Sequence, residues 1–197
     1  MKMINKLRLL WGFLCIFIIV PVTSQTQPEA YRLYDGKGRV VDYDQLVKTI
    51  AKVDVVFIGE IHNCAITHWL ELKLLDSLYK IHGKKLKVGM EMFESDNQLI
   101  LDEYLHGQIT GDRFEEEMRL WPNYSTDYAS LISYARDHNI PIVATNIPRR
   151  YATAVKEHGL SYLDSFSIEA KAYMAPLPIH FQTNESVEQG FVLMGLM

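Results

Sequence analysis

Three short stretches hold the side chains best suited to chemistry: Gly59-Glu60-Ile61-His62-Asn63, Glu91-Met92-Phe93-Glu94 and Thr145-Asn146-Ile147-Pro148-Arg149-Arg150. Glu60 and His62 flank an apolar Ile61, so in extended backbone both project to the same side. A carboxylate beside an imidazole is an acid/base pair able to activate water, or a pair of metal ligands. The structural alternative is that Glu60 caps the following helix and His62 makes an ordinary hydrogen bond. Glu91 lies in an apolar run, where an unpaired carboxylate is costly to bury, so it needs a partner. Arg149, Arg150, a metal, an imidazolium or a substrate proton would each serve. On this reading Glu60, His62 and Glu91 form a candidate catalytic set, and Glu60 and His62 are candidate ligands of a weakly held divalent metal.

Residues nearby extend or limit this set. His68 and Glu71, three apart on a helix, share a face and either enlarge the site or form an exposed helical pair. His68 follows His62 by six residues, which matches no standard zinc spacing, and His-Glu-x-x-His is absent; a tightly held structural zinc is not expected. Cys64, near a helix start, is a nucleophile, a soft ligand or a small buried filler. Arg149 and Arg150 suit a clamp on carboxylates or phosphates, or a solvated basic turn, while Pro148 marks a helix opening. No Gly-x-Gly-x-x-Gly or Gly-Lys-Ser/Thr follows a strand-like run and no Gly-x-Ser-x-Gly occurs, which removes the main support for nucleotide-binding and serine-hydrolase readings.

The elements that must position these groups follow from periodicity. Asp35-Gly36-Lys37-Gly38 suits a hairpin turn, and residues 43–52 are helix-like. The continuous apolar run of residues 53–59 reads as a parallel strand buried on both faces. Residues 65–82 form the strongest helical pattern, with Trp69, Leu72, Leu75, Leu78 and Tyr79 on one stripe and Gly83 at the cap position. Residues 86–93 and 140–145 read as two further buried strands. Helices are expected at 95–106, 111–120 and 128–138. Strands alternating with helices predict an α/β fold, a three-layer α/β/α arrangement with a largely parallel sheet. In such a sheet ligands bind beyond the carboxyl ends of the strands, which would bring all three polar stretches to one edge. Three strands are few for this architecture, and periodicity fades after Pro178, so the fold is expected to be truncated at its C-terminus.

Composition bounds the class. The 197 residues are 48% hydrophobic with 20 Lys+Arg, 24 Asp+Glu and two cysteines, an ordinary globular composition without a disulfide framework. A formal charge of −4 and no basic stripe argue against nucleic acid as a partner. Residues 1–24 read as a signal peptide: Lys2, Lys6 and Arg8, then an apolar run from Leu9 to Val20, then Pro21 and a cut after Ser24. The apolar run is too short for a hydrocarbon core roughly 30 Å thick. Phe13 and Leu14 precede Cys15 where lipidation wants small residues, so membrane association through a lipid is not expected. Removing three positive charges from 20 leaves 17 against 24, a formal −7 for the mature chain. Export to the periplasm or cell envelope follows, with residues 25–44 as a lead-in and residues 45–197 as the domain.

The motifs Gly59-Glu60-Ile61-His62 with His68 downstream, Gly89-Met90-Glu91-Met92-Phe93, Trp121 with Tyr124 and Tyr128, and Ala144-Thr145-Asn146-Ile147-Pro148-Arg149-Arg150-Tyr151-Ala152 resemble, in order and spacing, the bacterial ChaN-like haem-binding, iron-regulated family. That family sits in a superfamily with erythromycin esterase, TIKI and TraB proteins. The resemblance implies an α/β/α fold, export, haem as cofactor and iron uptake as role, with haem held between two subunits of a homodimer. It makes His62, His68, Asn146, Arg149 and Arg150 candidate haem-binding residues. By analogy with the superfamily's enzymes, it makes Glu60, His62 and Glu91 candidate residues of an ester or peptide hydrolase. Family members often carry a second His directly before the one matching His68; here Thr67 stands there. The family's haem-ligating Tyr belongs to a later part of the domain; Tyr162 and Tyr173 are the available phenols.

Overall fold

The computed structural model describes residues 29–179; the expected signal peptide at residues 1–24 and the apolar stretch after Gly190 lie outside them. At the start, Arg32 pairs with Glu29. From Leu33 onward the chain forms one compact unit. Its first elements are a small antiparallel hairpin, β1 (Leu33–Tyr34) and β2 (Val40–Val41). The Asp35 carboxylate shapes the turn by accepting from the Lys37 and Arg39 amides at 2.9 Å each. Helix α1 (Tyr43–Ile50) starts where Asp42 caps the Gln45 amide. Helix α2 (Ala65–His82) ends at Gly83, whose φ of 57° is a conformation that glycine reaches without a Cβ clash.

The central sheet is a parallel pair, β3 (Val88–Glu94) and β4 (Ile142–Asn146). Between them run α3 (Gln98–Leu105), α4 (Gly111–Glu117), a π-helical turn over Tyr124–Tyr128 and α5 (Ala129–Asp137). After β4 come α6 (Arg149–His158), a 3-10 segment and the short α7 (Ile168–Lys171). The register advances two residues on β4 but four on β3 between Met90↔Ala144 and Glu94↔Asn146. This bulge turns both Met92 and Phe93 into the core, which strict alternation would forbid. Helices α2 to α5 contribute to that core through Leu75, Leu101, Phe114 and Ile132, with the Tyr104 and Phe114 rings stacked at 4.4 Å.

The α/β class and the parallel strands agree with the sequence reading, and one expected strand does not. Residues 53–59 form no strand, and Val53, Val55, Phe57 and Ile58 are exposed, Phe57 at 93%. An apolar run predicts burial only if a neighbouring edge and a covering layer exist. Among the described residues no ladder joins this run to β3, and Gly89, Glu91, Val143 and Thr145 on the outer sheet face remain exposed. The opposite edge of the sheet is closed by a side chain. The Gln98 amide donates to the Ile142 carbonyl at 2.9 Å and accepts from the Ala144 amide at 2.7 Å, which is how a residue of a third parallel strand would bond. Gln98→Leu should leave two backbone groups unpaired and lower stability by about 1–3 kcal/mol in urea unfolding. A loss below about 0.5 kcal/mol would show that water replaces the amide.

Candidate functional site

The site grows from one turn and one helix start. The Cys64 amide donates to the Ile61 carbonyl at 2.8 Å, closing a turn that leads directly into α2. This places Glu60 and His62 beside the first two turns of that helix, where His68 and Glu71 share a face. Glu60 Oε1 accepts from His62 Nδ1 at 2.8 Å and from the Tyr128 hydroxyl at 2.7 Å. Its other oxygen, Oε2, lies 3.3 Å from His68 Nδ1, and Glu71 Oε2 lies at the same 3.3 Å. The side chains of His68, Glu60 and Glu71 are 3%, 10% and 12% exposed, so the cluster is largely dry.

Backbone and aromatic contacts fix this cluster in place. The His62 carbonyl accepts from His68 Nε2 at 3.1 Å and from Asn123 Nδ2 at 2.6 Å. Asn123 also donates to Asp127 at 2.7 Å, which ties the π-helical turn to the segment carrying Glu60. Such turns recur at functional sites because they reposition side chains relative to a regular helix; here the turn presents Tyr128, itself buried, to Glu60. Tyr128 packs edge-on against His68 with centroids 4.6 Å apart, and Trp121 packs edge-on against His62 at 4.8 Å.

Two carboxylates around one imidazole cannot all carry charge at low cost. Burial pushes the Glu71 carboxyl up to about 7, and the neighbouring Glu60 charge adds to that. Burial also acts on Glu60, but hydrogen bonds from Tyr128, His62 and Glu71 outweigh it and hold that carboxyl below its ordinary value. Burial lowers His68; the His62 carbonyl, Glu71 and Glu60 more than compensate and raise it. Burial and the Glu60 bond raise the Tyr128 phenol, so it remains a donor. The arrangement holds a proton among buried oxygens and presents a neutral or cationic imidazole to them.

The sequence-derived residues divide between two places. Glu60, His62, His68 and Glu71 come together. Glu91 does not join them: it is exposed on the open face of β3, so it neither needs a buried partner nor orients the Glu60–His62 pair. The strand-end carboxylates that do find arginines are Glu94 and Asp96. Arg119 bonds Glu94 at 3.0 Å and also pairs with Asp96, Arg150 pairs with Asp96, and the Arg149 amide donates to Glu94 at 3.1 Å. Arg150 also lies over the Tyr151 ring at 4.4 Å, and its pairing with Asp96 makes it a structural tie between the turn after β3 and α6. Asn146 stands beside Glu94 in the register. His68 is too buried, and bonded at both nitrogens, to reach a bulky planar ligand, which removes it from the haem candidates. The Glu60–His62 pair is likewise no chelate, because His62 Nδ1 faces the carboxylate itself. Tyr128, Asn123 and Arg119 carry no site signal in the residues around them, because a buried phenol aimed at a carboxylate far away in sequence leaves no local pattern.

Comparison with known proteins gives three findings. Residues 46–194 match the family described as haem-binding uptake, Tiki superfamily, ChaN. The chain is similar to protein RETICULATA-RELATED 5, chloroplastic, of Arabidopsis thaliana, at 25% identity over 157 residues, covering 74% of this chain and 21% of that protein. It also resembles a solved structure described as "Cofacial heme binding to ChaN of Campylobacter jejuni", with a TM-score of 0.61 and 17% identity over 81% of this chain and 60% of that one. The chain thus spans about a fifth of the Arabidopsis relative (21%) and under two thirds of the length of the Campylobacter one (60%).

The buried carboxyl pair sets a pH dependence. The Glu71 carboxyl holds its proton more tightly folded than unfolded, so its contribution is full below its ordinary 4.5 and is lost as pH rises through about 7. Glu60, shifted downward, is ionised in both states over that window and adds no slope, while His68, raised from its ordinary 6.5, adds to the fall only above about that pH. Stability should fall with rising pH there by up to about 1.4 kcal/mol per unit, and Glu71→Gln should flatten the slope. Urea midpoints across this range that run parallel for both proteins would refute the shared-proton arrangement.

Proposed function

We propose that this chain, which belongs to the ChaN family of haem-binding uptake proteins in the Tiki superfamily, binds haem and serves iron acquisition at the cell envelope. The observation that carries the reading is the family match across residues 46–194. The residues present fit the group. His62 has a side chain 55% exposed, its Nδ1 is engaged by Glu60, and Nε2 is the uncommitted nitrogen among the described residues. A carboxylate on the far side of an imidazole fixes the tautomer and strengthens the ring as a ligand. Phe57, Ile58 and Ile61, just before it in the chain, are exposed apolar side chains of the kind that a porphyrin face covers. Arg149 is exposed, and its guanidinium has no ion-pair partner among the described residues, which suits a propionate. Bound haem would supply an iron centre, and His62 would hold it through Nε2. A homodimer sharing haem belongs to the same proposal.

The Glu60–His62 hydrogen bond of 2.8 Å supports a second reading, hydrolysis of an ester or peptide with His62 as general base oriented by Glu60. Glu91 has no part in it. The export half of the proposal rests on the basic, apolar and polar order of residues 1–24, and sequencing the protein from an envelope fraction should give Gln25 as its first residue. Retention of residues 1–24 in the cytosolic fraction would reject export.

Adding haemin to the full chain should give a saturable Soret band. His62→Ala should shift that band and weaken binding by about tenfold or more. Absence of saturation would reject haem binding; an unchanged band in the variant would reject His62 as the ligand. For the second reading, Glu60→Gln should abolish turnover of an ester or peptide substrate, and unchanged turnover would reject it.

A further inference from the structure

We propose that Trp121 and Asn123 are positioning residues that hold the His62 imidazole in one orientation, with Nδ1 on Glu60 and Nε2 uncommitted, in advance of any ligand. The inference rests on the reading of His62 as the residue that meets haem, and it names the distant residues on which that role depends.

An exposed histidine ordinarily samples several staggered χ1 wells and two broad ring orientations. His62 has a side chain 55% exposed, yet its ring and its backbone are each held from two sides. On the ring, Nδ1 meets Glu60 Oε1 at 2.8 Å, and the Trp121 indole packs edge-on with an interplanar angle of 80°. On the backbone, the carbonyl accepts from Asn123 Nδ2 at 2.6 Å and from buried His68 Nε2 at 3.1 Å. Glu60 and His68 are near neighbours in sequence. Asn123 lies 61 positions away, and Trp121 stands two residues before it.

Both distant residues are themselves anchored. Trp121 packs against the hydrophobic core and edge-on to buried Tyr128, with centroids 6.0 Å apart. Asn123 donates to Asp127 at 2.7 Å, where the π-helical turn begins. The wall beside His62 is therefore fixed by the core and not by the loop that carries the histidine. Restraining an exposed side chain costs conformational entropy on folding. The benefit falls at ligand binding, because a ring already in place has less rotamer freedom left to lose.

Orientation also selects the tautomer. A carboxylate only accepts, so Nδ1 carries the hydrogen and Nε2 of the neutral ring keeps its lone pair. A ring turned over about χ2 puts Cδ2 where Nδ1 stands and loses the Glu60 bond; the packed indole restricts that rotation.

The test uses the full chain, haem-free, with isotope-labelled histidine at about pH 8.5, well above the ordinary histidine pKa. Long-range proton–nitrogen NMR reads the tautomer, and His62→Ala identifies the His62 signals among the seven histidines. The parent should show a single Nδ1–H form at His62. Trp121→Leu and Asn123→Ala should each give averaged signals there and weaken haemin binding about threefold to tenfold in a Soret titration. Trp121→Phe, which retains an aromatic edge, should restore both readouts. If Trp121→Leu fails to fold, Asn123→Ala and Trp121→Phe decide. An averaged or Nε2–H form in the parent, parent-like signals in Trp121→Leu or Asn123→Ala, averaged signals with unchanged haemin affinity, or Trp121→Phe as impaired as Trp121→Leu would each overturn the proposal. A parent chain that binds no haemin removes the haem reading alone, and the tautomer then decides the positioning.

Discussion

The buried carboxylate of Glu60 is the constraint around which this part of the molecule is arranged. A carboxylate with a side chain 10% exposed must be given donors or a counter-charge, and it receives them from three directions. Tyr128 reaches it from the π-helical turn, His62 from its own segment, and the His68–Glu71 pair from α2. Each donor belongs to a different stretch of chain, so satisfying one charge also fixes how those stretches meet. The His62 carbonyl repeats the principle with the backbone: donors from His68 and Asn123 use both of its lone pairs.

This arrangement separates two tasks that the sequence presents as one motif. His62 stands on the exposed side, with Glu60 behind it and Trp121 against its ring. His68 stands on the buried side, committed to carboxylates. One carboxylate serves both imidazoles through different oxygens. A change in what the buried oxygens hold therefore acts on the carboxylate that orients His62. The arginine cluster at the ends of β3 and β4 is a distinct construction, in which Glu94, Asp96, Arg119 and Arg150 neutralise one another and hold α6 against the sheet.

The sheet shows a different compromise. A parallel pair normally has both faces covered. Here helices cover one face, Gln98 closes the β4 edge by imitating a peptide group, and the apolar run of residues 53–59 stays outside the ladder. The bulge in β3 increases what two strands can contribute by turning consecutive residues Met92 and Phe93 inward. The apolar run predicts a third strand that does not form, because apolar side chains in sequence record a tendency to be buried and say nothing about which edge is free to receive them.

Local patterns in the chain determined the helices at 43–50 and 65–82, the hairpin turn at 35–38, the two parallel strands and the pairing of Glu60 with His62, because caps, periodicity and close spacing act within a few residues. They also determined that His68 and Glu71 share a face. Tertiary structure alone decided that this face turns inward onto Glu60, that Tyr128 donates to it across 68 positions, and that Glu91 is left outside. The reason is that burial of a charged group is settled by what packs around it from distant segments. A carboxylate in an apolar strand looks costly in sequence, and costs nothing when the face it occupies is open to water.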